Sequence, residues 1–163
     1  MFDEPFVFVD IETNGGSGER GRVIEVAAIK VQHGEIIDTF QSLVNPGHRI
    51  PIWITSLTGI TDSDLSQAPY FEDIAVQLHQ FMSGGIFVAH NVLFDFSFLK
   101  REFKALDMTF TPKLFCTVKM SRALFSEHKG HSLQKIIDRH GFATINRHRA
   151  YDDALVMYEY VKL

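Results

Sequence analysis

The feature that most constrains the fold is the segment FVFVDIETNGG, residues 6–16. Its four opening apolar residues and Ile11 are typical of a strand that is buried in a sheet. Asp10 and Glu12 lie at the end of this strand, and because side chains alternate along a strand, both carboxylates point to the same face. Two like charges in this position repel each other, and their desolvation is costly unless a positive charge compensates. The segment therefore raises the question of what offsets these two acids.

The length and composition are those of an ordinary globular domain. With 163 residues, of which 45% are hydrophobic and 22% charged, the chain is long enough for one core, and we expect a single domain, residues 1–163. No apolar run approaches the roughly 20 residues of a membrane span, and the acidic N-terminus does not resemble an export signal. The single cysteine, Cys116, excludes an internal disulfide and fits a reducing cytoplasm, and we expect its side chain to be buried rather than nucleophilic.

Charge is distributed unevenly along the chain. Residues 1–99 contain four basic and thirteen acidic residues, whereas residues 100–149 contain eleven basic and four acidic residues. A basic stretch by itself is often only a solvated helix face. An acidic first half joined to a basic second half is also the pattern of a metal site beside a surface that follows phosphates.

Hydrophobic patterns predict three strands followed by alternating helices and strands. Residues 23–32 and 35–44 form two strands joined by the turn His33–Gly34, which is typical of an antiparallel hairpin. Helices are predicted over residues 71–82, 93–106, 117–125, 133–140 and 150–161, with short strands at 86–90 and near 114–118. This order predicts a mixed sheet with helices on both faces, and in such sheets functional sites form at strand ends.

Three interpretations fit a pair of acids at the end of a strand. The first is a surface rim or a helix cap, which is common for one acid and weaker for a pair on one face. The second is a phosphatase of the haloacid dehalogenase type, but DIETN fits the DxDxT pattern only loosely because its second acid is Glu12. The third is a divalent metal site, in which a hard cation takes oxygen ligands and cancels the repulsion.

A metal site needs acids from other segments, and two segments offer them. In VAHNVLFDFSFLK, Asp95 lies between aromatic residues, where an acid without a partner is costly. In RHRAYDDALVMYEY, His148 precedes Asp152 and Asp153 at the start of an apolar helix. The helix dipole by itself favours acids at this position, so a helix cap is the alternative explanation for the two aspartates. Glu25, on an otherwise apolar strand face, is expected to make a structural hydrogen bond, and the alternative is a supporting position beside the metal site. Acids beside several core elements together favour the metal interpretation.

Three motifs in order, DIET with a glycine shortly after it, AHNVLFD and HRAYDDA, resemble those of the DEDDh 3′→5′ exonucleases. This family includes the proofreading epsilon subunit of bacterial DNA polymerase III and ribonuclease T. The segments SLVNP, LTGIT and LFCTV also look like that family, so the resemblance covers most of the chain. It implies a ribonuclease H-like three-layer α/β fold with a mixed central sheet and helices on both faces.

The resemblance also implies roles for individual residues. On a regular helix, Asp152 would be the nearer neighbour of His148, but the family pattern selects Asp153 and fits a histidine in the loop before the helix. The implied cofactors are two divalent metal ions, Mg²⁺ or Mn²⁺. The implied catalytic residues are the metal-binding acids Asp10, Glu12, Asp95 and Asp153 and the general base His148.

Contacts to the terminal nucleotide follow from the same resemblance. Apolar contact and stacking tolerate any base, as an exonuclease requires. From the residues alone, Phe94 is equally consistent with plain core, Leu57 with a loop anchor and His90 with a polar group at a strand end. Asn14 replaces the second threonine that is common in the family, which leaves the fit of the nucleotide open. The residues implied to lie near the nucleotide are Thr13, Leu57, His90, Asn91 and Phe94.

The implied function is a two-metal 3′→5′ exonuclease that releases nucleoside monophosphates from single-stranded DNA ends in proofreading or repair. The enzymatic alternative is an RNA-trimming exoribonuclease of the ribonuclease T or oligoribonuclease type, since no feature reads the 2′-hydroxyl. The alternative without activity is a nucleic-acid-binding module with an inactive site. The expected partners are a single-stranded DNA 3′ end, or an RNA end, and a polymerase or a covalently following nuclease domain, with no membrane. The nuclease domain is expected because SLVNP, LFCTVKMSRALF and NRHRAYDDA resemble exonuclease domains that precede a GIY-YIG nuclease domain.

Overall fold

Five strands form one mixed sheet in the computed structural model, which describes residues 3–163, so that the first two residues of the predicted domain lie outside it. The strands are β1 Phe6–Thr13, β2 Val23–Gln32, β3 Glu35–Leu43, β4 Ile86–Ala89 and β5 Lys113–Cys116. Their order across the sheet is β3-β2-β1-β4-β5. The hairpin of β2 and β3 and the pair β1–β2 are antiparallel, whereas β4 pairs in parallel with β1 and β5. This arrangement confirms the predicted fold class and makes β1 the central strand.

Helices cover both faces of the sheet. The helices are α1 Ile52–Thr58, α2 Asp62–Ser66, α3 Phe71–Met82, α4 Val92–Lys104, α5 Thr117–Leu124, α6 Leu133–His140 and α7 Ala150–Lys162, with a 3-10 turn at Gly18–Arg20. The core on one face contains residues of α3 and α4, and the core on the other face contains residues of α6 and α7. Within residues 3–163, none of the helices has the length and apolar character needed to cross a membrane.

The pleat of β1 separates these two cores. Val7 and Val9 belong to the core beneath α3 and α4, whereas Phe8 belongs to the core beneath α6 and α7. Because successive side chains of a strand alternate, Asp10 and Glu12 continue the face of Phe8. Both acids are thus directed to the layer that contains α7, at the point where the buried part of β1 ends.

The hydrophobic patterns predict no helix or strand between β3 and α3. Residues 52–66 instead form the two short helices α1 and α2. Gly59 ends α1 in the left-handed conformation with φ 78°, and a capping box between Thr61 and Asp64 starts α2. Helices of seven and five residues are shorter than the window in which helical periodicity becomes visible, so the pattern did not reveal them.

Candidate active site

The end of β1 opens into a cleft of about 600 Å³. Residues at the carboxyl ends of β1, β4 and β5 line this cleft together with residues at the starts of α5, α6 and α7. A site at the carboxyl ends of parallel strands is the arrangement expected for this type of sheet. The sequence-predicted residues that line the cleft are Asp10, Glu12, His90, Asn91, His148 and Asp153.

Three of the four predicted metal ligands lie close together. One carboxylate oxygen from each of Asp10, Glu12 and Asp153 lies within 4.8 Å of the other two. Oδ2 of Asp10 and Oδ1 of Asp153 are buried and have no hydrogen-bond partner within residues 3–163. Buried carboxylate oxygens without a donor need a cation to offset their desolvation, and hard cations prefer oxygen ligands. The donor set therefore fits a divalent metal ion.

Asp95 lies beside this group of three acids rather than within it. Its Oδ1 accepts a hydrogen bond of 3.2 Å from the backbone N–H of Ile11, the residue between Asp10 and Glu12. The Asp95 side chain is 3% exposed, so α4 holds a second buried carboxylate against the end of β1. Burial, and next the charge of Asp95, raises the pKa of Asp10, which shows that the two acids interact electrostatically.

Burial makes all four acids weak, and repulsion from the other acids of the cluster adds to it for Asp10 and Glu12. The pKa of Asp10 is raised well above 3.8 by burial and then by the charges of Asp95 and Asp153. The pKa values of Glu12 and Asp95 are raised to about 8 and that of Asp153 to about 6, and burial is the largest cause for each of them. In the absence of a compensating cation, part of this cluster therefore stays protonated at neutral pH.

The stability of the metal-free protein is expected to fall as the pH rises from about 5 to about 8. The folded pKa values of Glu12 and Asp153, about 8 and about 6, exceed their ordinary values of 4.5 and 3.8. The folded state therefore binds more protons than the unfolded state in this interval, and stability is lost as those protons leave. Urea denaturation in chelator at both ends of the interval measures the difference. Mg²⁺ added at the higher pH should restore the loss, and a rise in chelated stability with pH would contradict the clustering.

Arg147 contributes a positive charge to the acid cluster and has no role in the sequence-based interpretation. Its Nη1 donates to Oδ2 of Asp153 at 2.5 Å. Its charge opposes the burial that raises the pKa values of Asp10 and Glu12. The available sequence signals were its place beside His148 and the basic balance of residues 100–149, and neither identifies a contact with a particular acid.

His148 lies in the turn before α7, in agreement with the placement that the family pattern implied. Its backbone is left-handed with φ 64°, and it lines the same cleft as Asp10, Glu12 and Asp153. Burial, and next the charge of Arg147, lowers the pKa of the imidazole below 6.5, so the ring is neutral at pH 7 and able to accept a proton. Because α7 begins at Ala150, His148 and Asp152 do not share a helix face.

A buried ion pair fixes the start of α7. Glu25 on β2 is 1% exposed and accepts from Nη2 of Arg149 and from the backbone N–H of Ala150, both at 2.7 Å. Glu25 is also the cross-strand partner of Glu12. Arg149 and Ala150 lie between His148 and Asp153 in the chain. The pair therefore sets the position of two predicted catalytic residues relative to the end of β1, and it confirms the structural hydrogen bond expected of Glu25.

Both ring nitrogens of His90 bond within the protein. Nδ1 lies 2.8 Å from Oγ1 of Thr117, and Nε2 lies 2.8 Å from the carbonyl oxygen of His131. A carbonyl oxygen only accepts, so Nε2 carries the proton and Nδ1 accepts from the threonine hydroxyl. Burial lowers the pKa of His90 to about 4, which keeps the ring neutral. His90 thus joins the end of β4 to the loop before α6.

The other predicted nucleotide contacts are Thr13, Leu57, Asn91 and Phe94. Asn91 is exposed and precedes α4 with φ 67°. Thr13 ends β1, and its Oγ1 accepts from the N–H of Gly15 at 3.2 Å. Leu57 on α1 and Phe94 on α4 are 44% and 46% exposed, so both present apolar surface to solvent outside the lining of the cleft. Asn91 alone of these four residues lines the cleft.

Asn14 holds the glycine-rich loop of residues 14–22. Its Oδ1 accepts from the N–H groups of Gly16 and Arg22, both at 3.0 Å, and its Nδ2 donates to the carbonyl oxygen of Arg20 at 2.9 Å. The side chain is 5% exposed and its oxygen already accepts two bonds. The residue at the position where the family commonly has threonine therefore serves the structure of the loop.

Further residues of the cleft were not assigned from the sequence. Lys119 and Arg122 on α5 add positive charge to it, which agrees with the basic balance of this part of the chain. Cys116, expected to be buried, is only partly buried and lines the cleft. The reason is its place at the end of β5, an edge strand with one neighbour. For Lys119 and Arg122, the sequence signal was the excess of basic residues between positions 100 and 149.

Comparison with known proteins gives consistent matches. The profile of the RNase_T exonuclease family matches residues 7–161. The chain is 37% identical over 149 residues to a DNA polymerase III PolC-type of Caldanaerobacter subterraneus subsp. tengcongensis, which covers 91% of this chain and 11% of the relative. It is 35% identical over 150 residues to a 3′-5′ exonuclease DinG of Staphylococcus saprophyticus, with 91% and 17% covered. The chain thus spans less than a fifth of the length of these relatives.

The solved nuclease domain of 3′hExo, a DEDDh family member bound to rAMP, aligns with a TM-score of 0.82 at 20% identity and covers 99% of this chain and 91% of that chain.

Proposed function

The chain belongs to the RNase_T exonuclease family, and from this premise we propose that it is a metal-dependent 3′→5′ exonuclease acting on single-stranded DNA ends. The observation that carries the proposal is the group of Asp10, Glu12 and Asp153 at the end of the central strand, with two buried oxygens that lack donors in the described chain. The released products are nucleoside monophosphates, and the proposed settings are proofreading and repair.

Two divalent ions, Mg²⁺ or Mn²⁺, are the proposed cofactors. Asp10, Glu12 and Asp153 would hold them, and Asp95 would complete the set from the side of α4. When bound, such ions supply charge stabilisation at the phosphate and lower the pKa of water. Four carboxylates approximately balance two dications, which gives a reason for the concentration of weak acids at this point of the sheet.

The chain's own residues have distinct tasks in the proposed hydrolysis. A water oxygen forms a bond to phosphorus while the bond from phosphorus to the 3′ oxygen of the preceding nucleotide breaks, and that oxygen leaves with the electron pair and takes a proton from solvent to become the new 3′-hydroxyl. His148 takes the proton of that water on its neutral ring, and the bonds of Glu25 to Arg149 and Ala150 hold the adjoining chain beside the acids. Thr13, Leu57, Asn91 and Phe94 are proposed to contact the terminal nucleotide, whereas His90 supports the nucleotide site by holding the loop before α6.

Replacing His148 with alanine is expected to lower the rate of nucleotide release by about 10²–10⁴-fold at pH 7, because the step loses its general base. DNA binding should change little, since the acids remain. Single-turnover release from an end-labelled oligonucleotide measures the first quantity and fluorescence anisotropy the second. His33→Asn in the turn between β2 and β3 is a matched control, and an undiminished rate in His148→Ala would contradict the assignment.

The DNA preference is proposed from the relative that is named a DNA polymerase III PolC-type. The RNA alternative is favoured by the DEDDh structure that is described as bound to rAMP. Matched DNA and RNA oligonucleotides, incubated with Mg²⁺, Mn²⁺ or chelator, separate the two. Faster metal-dependent release from DNA supports the proposal, and faster release from RNA supports an exoribonuclease. Binding without release under every metal condition identifies a module with an inactive site.

Residues 1–163 are proposed to act as one exonuclease domain. A polymerase or a covalently following nuclease domain stays the predicted partner, and a cytoplasmic location also stays a prediction. The relatives are several times longer than the part that matches, so exonuclease units of this kind occur within larger proteins. The mass of the native product in its source organism tests whether a second domain follows this one.

A further inference from the structure

A second cleft, of about 520 Å³, lies beside the loop that Asn14 holds. Residues 1–99 contain only four basic residues against thirteen acidic ones, and three of the four, Arg20, Arg22 and Arg49, line this one cleft. The fourth, Lys30, lies over the ring of Phe81 instead. Such a concentration of positive charge within an acidic half of the chain indicates a site for an anion.

Two of the three guanidinium groups are available to a ligand. Arg22 is engaged by Glu102, with Nε and Oε1 2.6 Å apart, whereas the ion pairs of residues 3–163 include neither Arg20 nor Arg49. Glu19 is the acid in the lining, so the two free arginines leave an excess of positive charge. This charge suits a phosphate group, which a guanidinium binds through paired hydrogen bonds.

His48 in the same cleft is not a further ligand. Its Nδ1 lies 2.9 Å from the carbonyl oxygen of Arg49 and its Nε2 lies 3.4 Å from Nδ2 of Asn14. The first contact requires a proton on Nδ1, which leaves Nε2 to accept from the amide. Both ring nitrogens are thus used within the protein, so the phosphate-binding role falls to the two arginines.

Trp53, the single tryptophan of the chain, adds an aromatic surface to the cleft. Its side chain is 57% exposed, and its ring lies against Gly15, where an added Cβ would come within 2.4 Å of Cζ2. Gly15 also has φ 77°, so the loop needs glycine there for both reasons. The glycine supports the ring, and an exposed aromatic ring beside arginines is the combination that binds a base and its phosphate.

The position of the second cleft connects it to the proposed terminal-nucleotide site. Trp53 and Leu57 are four residues apart on α1 and therefore share a face of that helix. We propose that this cleft is a second nucleotide site, in which Trp53 stacks on a base and Arg20 and Arg49 bind its phosphate. The ligand is a nucleoside 5′-phosphate unit, either a free mononucleotide or part of a strand.

The single tryptophan gives a direct measurement of binding in chelator, where no hydrolysis occurs. Deoxyadenosine monophosphate and a short oligonucleotide are titrated separately while the fluorescence of Trp53 is recorded, with inorganic phosphate as a ligand that lacks a base. Saturable quenching by the mononucleotide or by the oligonucleotide supports the site, and the tighter of the two identifies the source of the ligand. Absence of quenching by both overturns the proposal.

Two variants separate this cleft from the active site. Arg49→Gln is expected to weaken the binding of the nucleotide that quenches Trp53 about tenfold. Lys30→Gln, which removes the basic residue outside the cleft, should leave this affinity unchanged. Leu57→Ala should preserve the quenching. Quenching that is lost in Leu57→Ala and unaffected by Arg49→Gln would originate at the active site and overturn the proposal. Because the measurement needs no catalysis, an absence of exonuclease activity would leave it unchanged, so the two proposals fail separately.

Discussion

Replacing Asp10 with asparagine is expected to abolish metal-dependent nucleotide release and, at the same time, to stabilise the metal-free protein. Asparagine keeps the volume of the side chain but removes a charge that lies within 4.8 Å of oxygens of Glu12 and Asp153. The loss of several kcal/mol of charge stabilisation in the transition state corresponds to a decrease in rate of about a thousandfold or more. The same change removes a carboxylate whose own pKa is raised by burial and then by the charges of Asp95 and Asp153, so the metal-free protein loses an unfavourable buried charge.

The two halves of this result are measured separately. Release of nucleotides from end-labelled DNA with Mg²⁺ or Mn²⁺ gives the activity, and thermal denaturation in chelator near pH 8 gives the stability. Asp138→Asn on the exposed side of α6 removes an acid of the same type away from the cleft and should leave both unchanged. An Asp10→Asn protein that remains active, or that is less stable without metal, would contradict a metal-binding role for this cluster.

Replacing Glu25 with alanine is expected to lower the free energy of unfolding by about 3 kcal/mol. The change removes the buried partner of Arg149 and leaves the N–H of Ala150 without its acceptor. For a domain of this length, that loss corresponds to a decrease in Tm of roughly 6–12 °C. Because the pair fixes the start of α7, the folded variant should also release nucleotides more slowly, since His148 and Asp153 are no longer held against β1.

Glu102 offers a matched control for the change at Glu25. It is also buried, at 8% exposure, and it pairs with Arg22 rather than with the start of α7. Glu102→Ala should therefore lose stability but keep kcat at a temperature where the protein is folded. Glu25→Gln retains an oxygen for the N–H of Ala150 and should recover part of the activity. Equal losses of kcat at positions 25 and 102 would show that Glu25 contributes only to stability.

The sequence predicted those parts of the site that depend on local patterns. The apolar run of β1 and the alternation of its side chains place Asp10 and Glu12 on one face, and the structure shows them there. The position of His148 in a turn followed from the family pattern, because the spacing to Asp152 and Asp153 alone allows either acid. Asp95 is near the cluster but binds the backbone of β1, and that offset depends on how α4 packs, which no local pattern encodes.

The contacts that the sequence did not predict are made between distant segments or by single residues. Arg147 contacts Asp153 through a long flexible side chain, and a motif that names only the acids gives no sign of it. The expected hydrogen bond of Glu25 was correct in kind, but its partners are 124 and 125 residues away. Asn14 differs from Glu25 because its hydrogen-bond partners on the glycine-rich loop are close in sequence. Even so, no sequence pattern indicates that these bonds occupy both the oxygen and the nitrogen of its side chain.

The hydrogen bond between Ile11 and Asp95 links the metal cluster to the core beneath α4. Ile11 carries its side chain into that core, its N–H bonds Asp95, and its two neighbours are the acids of β1. A change in the volume of this one side chain would shift three carboxylates together. We therefore expect substitutions at position 11 to be accompanied by changes in the residues of α4 that pack over it, and the sequences of relatives test this expectation.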